Sequence, residues 1–259
     1  TSSKILGPID QVRQRTSSKW RRFAPDVLPM HVAEMDYEIA DSIKQLLIEK
    51  IKNSDIGYTG PVPEVAEGFT KFAIERWGWT VDPNQIKLAT DVGVSAVEIF
   101  RALGKPGDKV VINSPVYTNF FSWITEVKLV INDVPLLADS ETWNLDLAGL
   151  EQAFAAGAKF YLLCSPHNPI GKLYTRSELQ EIANLAKKYD VIVISDEIHA
   201  PLTFAEDEFV PYLSVSDSAR ETGICITAAS KSFNLAGLKA SIIVTQHQNM
   251  KAKLNDLPM

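Results

Sequence analysis

The hydrophobic pattern along the chain alternates between stretches with a helical period and short apolar runs. Apolar residues three and four apart predict one helix over 40–53, a second from Pro63 to a stop at Gly78, and a third that begins near Ser177. The positions expected near their buried faces are Ile43, Leu46, Leu47 and Ile51, then Val65, Phe69, Phe72 and Ile74, then Leu179, Ile182, Ala183 and Leu185.

The short apolar runs between these stretches are typical of buried strands. Several are almost apolar on both faces, as in strands that helices cover on each side. The pattern therefore predicts an α/β fold, a three-layer α/β/α arrangement around a mostly parallel sheet of about seven strands. The predicted strands are Ile86–Ala89, Lys109–Asn113, Lys128–Val134, Lys159–Cys164, Val191–Ser195, Ile224–Ala228 and Ser241–Thr245.

The two ends of the chain differ from this alternating pattern. Residues 1–50 are interpreted as an arm plus a first helix, and residues 51–259 as the main domain. Residues 253–259 show no closing helix or strand. The chain starts without Met and without an apolar signal core, so trimming at this end is one interpretation.

Composition narrows the class of protein. The chain is 46% hydrophobic and 22% charged, with a formal net charge of −6. This charge and the lack of a long basic run argue against a nucleic-acid partner. No apolar stretch approaches the ~20 residues of a membrane helix. Cys164 and Cys225 lie in predicted strands and form no disulfide framework, which favours a reducing cytoplasm over secretion.

Four polar clusters follow predicted strands, where open α/β sheets form their ligand sites. Each has an ordinary alternative: a helix cap at Asp91, a turn around Asn168, solvated charge at Asp196 and Glu197, or a surface lysine at Lys231. Their placement after successive strands favours a shared site instead. The clusters are Asp91–Ser95, Ser165–Pro169, Ser195–His199 and Ser230–Asn234.

The order of these clusters resembles the fold-type I enzymes that depend on pyridoxal 5'-phosphate (PLP). The resemblance covers essentially the whole chain and implies the large domain of a PLP-dependent transferase. It rests on Asn168-Pro169-x-Gly171, Asp196-x-x-His199, and Ser230-Lys231 with Asn234, Gly237 and Lys239.

The resemblance also implies roles for the residues that face the cofactor ring. Lys231 would hold the PLP aldehyde as an imine and later act as a base. Asp196 would pair with the protonated pyridine nitrogen, and Asn168 would donate to the phenolic oxygen of the ring. Tyr117 would stack on the ring, although it could equally be a core aromatic residue after a strand.

A second set of residues is implied for the phosphate group. Val92 and Gly93 would offer backbone N–H groups at a helix start, and Ser230 a hydroxyl. Lys239 stands where many relatives have an arginine, so it would supply charge without a planar fork. Tyr58 resembles the tyrosine that reaches the phosphate of a partner subunit, which implies a homodimer; a plain loop aromatic is the alternative.

One phosphate contact of the family is in doubt. Ala228 lies where many aminotransferases have a serine, so the hydroxyl that those relatives offer is missing at this position.

Further motifs resemble the MalY/PatB class of cystathionine β-lyases. They are Trp20, the Leu28–Tyr37 segment with its Val-Ala-x-x-Asp pattern, and Asp196–Leu202, in which His199 replaces a tyrosine typical of aminotransferases. The class implies cleavage of cystathionine or related S-substituted cysteines to pyruvate, ammonia and a thiol. His199 would then bond near the ring oxygen, and Tyr58 would assist proton transfer.

Other functions remain open from the sequence. The same scaffold serves aminotransferases, and some relatives act as non-catalytic regulators. A metal- or serine-dependent hydrolase is disfavoured, because the four histidines lack ligand spacing and no Gly-x-Ser-x-Gly elbow is present. Relatives continue into a small C-terminal domain with a carboxylate-binding arginine, which would lie beyond Met259.

Overall fold

The structure is a computed structural model that describes residues 7–140, 142–204, 207–255 and 257. Its helices are α1 Ile9–Val12, α2 Ser18–Arg21, α3 Asp41–Lys52, α4 Pro63–Trp77, α5 Val92–Leu103, α6 Asn119–Glu126, α7 Leu147–Ala155, α8 Arg176–Tyr189, α9 Asp217–Thr222 and α10 Gln248–Asn255. Its strands are β1 Ile86–Ala89, β2 Lys109–Ile112, β3 Val130–Asp133, β4 Leu137–Ala138, β5 Trp143–Asn144, β6 Ala158–Cys164, β7 Ile192–Asp196, β8 Gly223–Thr227 and β9 Ser241–Thr245.

Seven strands form one sheet in the order β1-β9-β8-β7-β6-β2-β3. β9 runs antiparallel to both of its neighbours, and every other pair is parallel. The carboxyl ends of β1, β2, β6, β7 and β8 therefore lie along one edge. Because loops after these ends converge, this edge is where the fold can build a ligand site.

The strands are buried on both faces. Along β6, Phe160 and Leu162 pack on one side, while Tyr161 and Leu163 pack on the other. The first side is covered by α5, α6 and α10, and the second by α7, α8 and α9. This alternation of apolar side chains explains why the strands lack polar positions, and it confirms the predicted three-layer fold.

The backbone groups into two compact units. The "arm unit" comprises the described residues up to Pro61 together with Ala229–Lys239, and the "sheet unit" comprises Val62–Ala228 and the described residues from Ala240 onward. The predicted domain boundary after residue 50 stays a prediction about the whole protein.

The seven predicted strands are confirmed, each to within two residues at either end. The α4 helix begins at Pro63 and ends before Gly78, whose φ of 63° is the left-handed conformation that favours glycine. The α8 helix begins with a capping box between Thr175 and Glu178. These local signals are strong because each satisfies backbone groups left open at a helix end.

The expected burial of the first two helices is partly wrong. No residue of α3 is buried, and Leu46 and Ile51 are 55% and 65% exposed. On α4, Val65 and Ile74 are exposed. Ile74 lies two residues past Phe72, which turns its side chain to the opposite face of the helix.

The other apolar positions predicted to be buried on α4 and α8 include several that do lie in the core. Phe69 packs edge-on against Trp79 at 5.9 Å and joins the core. Leu179, Ile182 and Ala183 of α8 are fully buried, and Leu185 is partly buried.

The β4–β5 hairpin was not predicted. The hairpin of β4 and β5 pairs Leu137 with Asn144 and Ala138 with Trp143, and strands of two residues are too short to show a period. The absence of a closing helix is also wrong, since α10 places Met250 and Leu254 in the core. Lys87 Nζ donates to the Leu254 carbonyl at 2.7 Å and helps to hold that helix end.

Candidate functional site

Asp196 is the central carboxylate at the carboxyl edge of the sheet. It is the last residue of β7, where its backbone lies between Cys164 of β6 and Ile226 of β8. Its side chain is 4% exposed, and Oδ1 accepts the Ile198 N–H at 3.2 Å. A carboxylate this deeply buried is little screened by water, so it would interact strongly with a cationic group of a ligand at this strand end.

Tyr117, in the loop after β2, lies within electrostatic reach of that carboxylate. Burial raises the pKa of Tyr117, and the negative charges of Asp196 and Asp91 raise it further. The phenol oxygen accepts a hydrogen bond from Asn119 Nδ2 at 2.8 Å, and the ring centroid lies 5.8 Å from that of Trp123. An aromatic face and a carboxylate therefore meet at the same edge of the sheet.

Asn168 lies in the loop after β6. Its backbone N–H donates to Cys164 Sγ at 3.3 Å, and the residue is half-buried. The structure thus places Asn168 after β6, the strand next to β7, which carries Asp196.

His167, whose sequence context indicates only a turn, connects two loops of the site. It is 1% exposed; Nε2 donates to the Pro115 carbonyl at 3.0 Å, and Nδ1 accepts from the Tyr174 hydroxyl at 2.7 Å. Burial lowers the pKa of His167, which favours the neutral ring that this pattern requires. The only signal in the sequence was its position beside Asn168.

The start of α5 is capped by Asp91. The Gly93 N–H donates to Asp91 Oδ1 at 2.9 Å, and the Ser95 hydroxyl donates to the Asp91 carbonyl at 2.8 Å. The Gly93 amide expected to face a phosphate is therefore already bonded within the chain. A Cβ at Gly93 would lie 2.8 Å from Trp123 Cζ2, so the helix start and the Trp123 ring are in close contact.

Glu197 is a second buried carboxyl group that the sequence analysis did not single out. Oε1 accepts the Tyr212 N–H and the Ser195 hydroxyl, both at 2.9 Å, and Oε2 accepts from Cys225 Sγ at 3.4 Å. Burial raises the pKa of Glu197 to about 7 despite these bonds, and the neighbouring Asp196 charge adds to the rise.

His199 follows Asp196 by three residues and is half-buried. It immediately precedes the 3-10 helix Ala200–Leu202, and the Leu202 N–H donates to its carbonyl at 2.9 Å. Its backbone thus belongs to the same post-β7 loop as Asp196.

Val92 is buried at the start of α5 in the sheet unit, and the other predicted site residues belong to the arm unit. Lys231 Nζ donates to the Ala33 carbonyl at 3.3 Å. The Ser230 carbonyl accepts the Leu235 N–H at 3.0 Å. Lys239 is exposed and has a φ of 54°, while the Tyr58 side chain is fully exposed.

Within residues 7–140, 142–204, 207–255 and 257, no group of three or more His, Cys, Asp or Glu side chains is arranged to hold a metal ion. The same ranges contain no helix with the length and apolar character needed to cross a membrane.

This chain has a mostly parallel sheet with polar groups at its carboxyl edge, which is typical of α/β proteins that bind ligands at that edge. A family model described as aminotransferase class I and II matches residues 25–258. The chain belongs to the aminotransferase class I and II family, which confirms the resemblance seen in its motifs.

Individual relatives narrow the comparison. A Mycobacterium leprae protein, provisionally named a cystathionine beta-lyase, is 39% identical over 91% of this chain and 60% of its own length. Cystathionine beta-lyase PatB of Bacillus subtilis is 32% identical over 89% of this chain and 60% of its own length. The chain thus spans about 60% of the length of the curated relatives it matches.

Solved structures agree with the predicted fold. Cystalysin from Treponema denticola, whose structure contains a pyridoxal 5'-phosphate cofactor, gives a TM-score of 0.87 at 30% identity. The match covers 92% of this chain and 62% of cystalysin.

Proposed function

We propose that this chain is the PLP-binding part of a carbon–sulfur β-lyase that cleaves cystathionine or related S-substituted cysteines to pyruvate, ammonia and a thiol. The observation that carries the proposal is the buried Asp196 carboxylate beside the Tyr117 ring, at the carboxyl edge of the sheet. Relatives named cystathionine beta-lyase in Bacillus subtilis and Corynebacterium glutamicum support the reaction class.

The residues present fit PLP chemically. When bound, PLP supplies an aldehyde for attachment to an amine and a protonated ring that accepts electrons. Asp196 would keep the ring nitrogen protonated, because its buried charge favours a cation beside it. Tyr117 would cover one face of the ring, and Asn168 would donate to the ring oxygen.

The phosphate would be held by groups at the ends of two loops. The Val92 N–H at the start of α5, the Ser230 hydroxyl and the Lys239 charge are the proposed contacts. The Gly93 N–H takes part only if it leaves or shares its bond to Asp91 Oδ1.

Proton transfer is assigned to Lys231. Its amine would hold the cofactor, and the same Nζ would act as the base that takes the proton from the substrate Cα. His199 would bond near the ring oxygen, and Tyr58 would assist the proton transfer from a partner subunit.

The assembly and compartment are also proposals. Tyr58 is fully exposed, which suits a side chain that reaches into the site of a second copy in a homodimer. Cys164 and Cys225 are free and buried, which suits a reducing cytoplasm.

The test uses the full-length protein loaded with PLP. Wild type should show a visible absorbance band that borohydride fixes at residue 231, and it should release pyruvate from cystathionine. Lys231→Ala should lose the band and the activity, whereas the control Lys52→Ala, an exposed lysine on α3, should keep both. A folded wild type without the band would contradict the proposal.

Aminotransferase activity is the second candidate function. It is favoured by the family model itself and by a Thermotoga maritima aspartate aminotransferase that is 27% identical over 86% of this chain. Turnover that depends on an added keto acid, without release of pyruvate from cystathionine, would select the aminotransferase.

A further inference from the structure

The carboxylate of Asp36 accepts hydrogen bonds from two side chains of α2 in the arm unit. Lys19 Nζ donates to Oδ2 at 2.8 Å, and Trp20 Nε1 donates to Oδ1 at 3.0 Å. Arg15 Nη2 donates to the backbone carbonyl of Asp36 at 3.0 Å. Asp36 therefore fixes its own segment of the chain to α2 and to Arg15, which precedes α2.

Lys19 depends on this arrangement. The residue is 8% exposed, and Nζ donates a second bond to the Glu34 carbonyl at 2.9 Å. A lysine ammonium removed from water to this extent is costly to leave without its carboxylate. Ser17 adds a 2.6 Å hydrogen bond to Glu34 Oε1, so two neighbouring acidic residues anchor the same segment.

The other side of this segment receives the loop that carries Lys231. Lys231 Nζ donates to the Ala33 carbonyl at 3.3 Å, and Asn234 Nδ2 donates to the Tyr37 carbonyl at 2.9 Å. Ala33 and Tyr37 flank Glu34 and Asp36, and all of these residues belong to the arm unit. Anchoring at Asp36 and docking of the Lys231 loop therefore act on one short stretch of backbone.

We propose that Asp36 is a positioning residue for Lys231. By fixing residues 33–37 against Lys19 and Trp20, it holds the Ala33 and Tyr37 carbonyls where the loop of Lys231 and Asn234 docks. The Ala33 carbonyl then orients the Lys231 amine whenever that amine is free to carry a proton. The inference rests on the proposed role of Lys231, although the hydrogen bonds of Lys231 and Asn234 to the Ala33 and Tyr37 carbonyls do not involve a cofactor.

The experiment compares Asp36→Asn with Asp41→Asn in the full-length protein. In Asp36→Asn the carbonyl oxygen can still accept from Trp20, but the new amide faces the Lys19 ammonium as donor against donor. Asp41 is the matched control: it lies in the same unit and its Oδ1 is 3.5 Å from Lys44 Nζ, yet its side chain is 91% exposed.

Two readouts are measured. Amide hydrogen exchange over residues 229–239, without PLP, should become about tenfold faster in Asp36→Asn, the effect of losing one charged hydrogen bond. In the PLP-loaded protein, the pH midpoint of the visible band should shift. Asp41→Asn should match wild type in both.

The outcomes separate this inference from the proposed function. A folded Asp36→Asn variant with wild-type exchange and a wild-type midpoint would overturn the positioning role. If wild type shows no visible band, the proposed function fails, but the exchange comparison still decides the coupling. If Asp36→Asn does not fold, Trp20→Phe removes one donor to Asp36 and should give a smaller change in the same direction; unchanged exchange there would refute the coupling.

Discussion

At the residue scale, buried titratable groups beside the proposed cofactor contacts should make the stability of the fold depend on pH. Glu197 is buried with its carboxyl bonded to the Tyr212 amide, the Ser195 hydroxyl and the Cys225 thiol. Its pKa of about 7 in the folded state lies above the ordinary value of 4.5. The stability it contributes is therefore fully present below about pH 4.5 and is lost as the pH rises through 7.

Glu197→Gln should remove this pH dependence. The amide oxygen can replace Oε1 as acceptor, and the NH2 group can face the Cys225 sulfur. The difference in unfolding free energy between the variant and wild type should change with pH. Between pH 4.5 and pH 8 it should shift in favour of the variant by up to about 3 kcal/mol, since one pKa unit corresponds to 1.36 kcal/mol. Urea denaturation at both pH values measures the difference.

The comparison must be between variants, because His167 acts in the opposite direction. Burial lowers its pKa, so its contribution is present above the unfolded pKa and is lost as the pH falls. Glu181→Gln, at an exposed position on α8, is the control and should leave the wild-type profile unchanged. A Glu197→Gln profile parallel to wild type would contradict the buried-carboxyl account.

Gly93 gives a second prediction at this scale. An added Cβ would lie 2.8 Å from Trp123 Cζ2 and 2.9 Å from Cε2, in a ring that also packs on Tyr117. We expect Gly93→Ala to lower stability by about 1–3 kcal/mol, as overpacking does, and to weaken PLP binding. Thermal unfolding and a PLP titration measure these effects.

Gly68→Ala is the matched control for that change. Gly68 also lies in a helix, α4, but nothing is within 4 Å of an added Cβ. It should raise stability by about 0.5–1 kcal/mol, because alanine restricts the unfolded chain. If both variants behave alike, close contact with Trp123 is not what requires glycine at position 93.

At the element scale, the sequence predicts where helices and strands lie better than it predicts which surface packs against each of them. The strands are found because continuous apolar runs such as Ile192–Ile194 have no polar position to place in water. The exposed apolar stripe of α3 shows the limit: amphipathic spacing identifies a face, but not the surface that the face meets.

The loops of the site follow the same rule. Placement after a strand predicted where Asp196 and Asn168 lie, because parallel strands end at one edge. The bridging role of His167 was not predictable, since its partners Pro115 and Tyr174 are joined to it only by the folded loops. Likewise, the Asp91 cap that takes the Gly93 amide depends on the actual turn geometry.

His167→Leu tests whether this bridge holds the Tyr117 loop. The change leaves the Tyr174 hydroxyl and the Pro115 carbonyl without their partner. The bond to the Tyr174 hydroxyl is buried, and a buried group left unsatisfied costs about 1–3 kcal/mol, so we expect a loss of about that size in unfolding free energy. Urea denaturation measures the loss, and near-ultraviolet circular dichroism should report a changed environment of Tyr117.

Tyr174→Phe separates the two bonds of the bridge. It removes only the hydroxyl that donates a hydrogen bond to Nδ1 of His167, and it leaves the bond to Pro115 intact. Its loss should therefore be smaller than that of His167→Leu. An equal loss in the two variants would mean that the bond to Pro115 contributes nothing.

At the scale of the whole molecule, exposed apolar side chains are unevenly distributed between the arm unit and the sheet unit. Most of the exposed large apolar side chains among the described residues belong to the arm unit, including Met30 at 86% and Ile56 at 73%. Exposed apolar surface of this extent is typical of a face that another protein surface covers. The sequence could not reveal this, because apolar residues in a loop carry no period.

The proposed homodimer accounts for that exposure in the neighbourhood of Tyr58 and leads to a test. Ile56→Glu places a charge two residues from Tyr58, and burying an unpaired charge in an interface is strongly unfavourable. We expect it to raise the dimer dissociation constant of the full-length protein by at least about tenfold, measured by sedimentation velocity over a dilution series. Phe204→Glu is the matched control, since Phe204 is equally exposed at 72% but belongs to the sheet unit. If both variants stay dimeric to the same dilution as wild type, the apolar face around Ile56 is not where two copies meet, and the proposed contribution of Tyr58 to a partner's site loses its support.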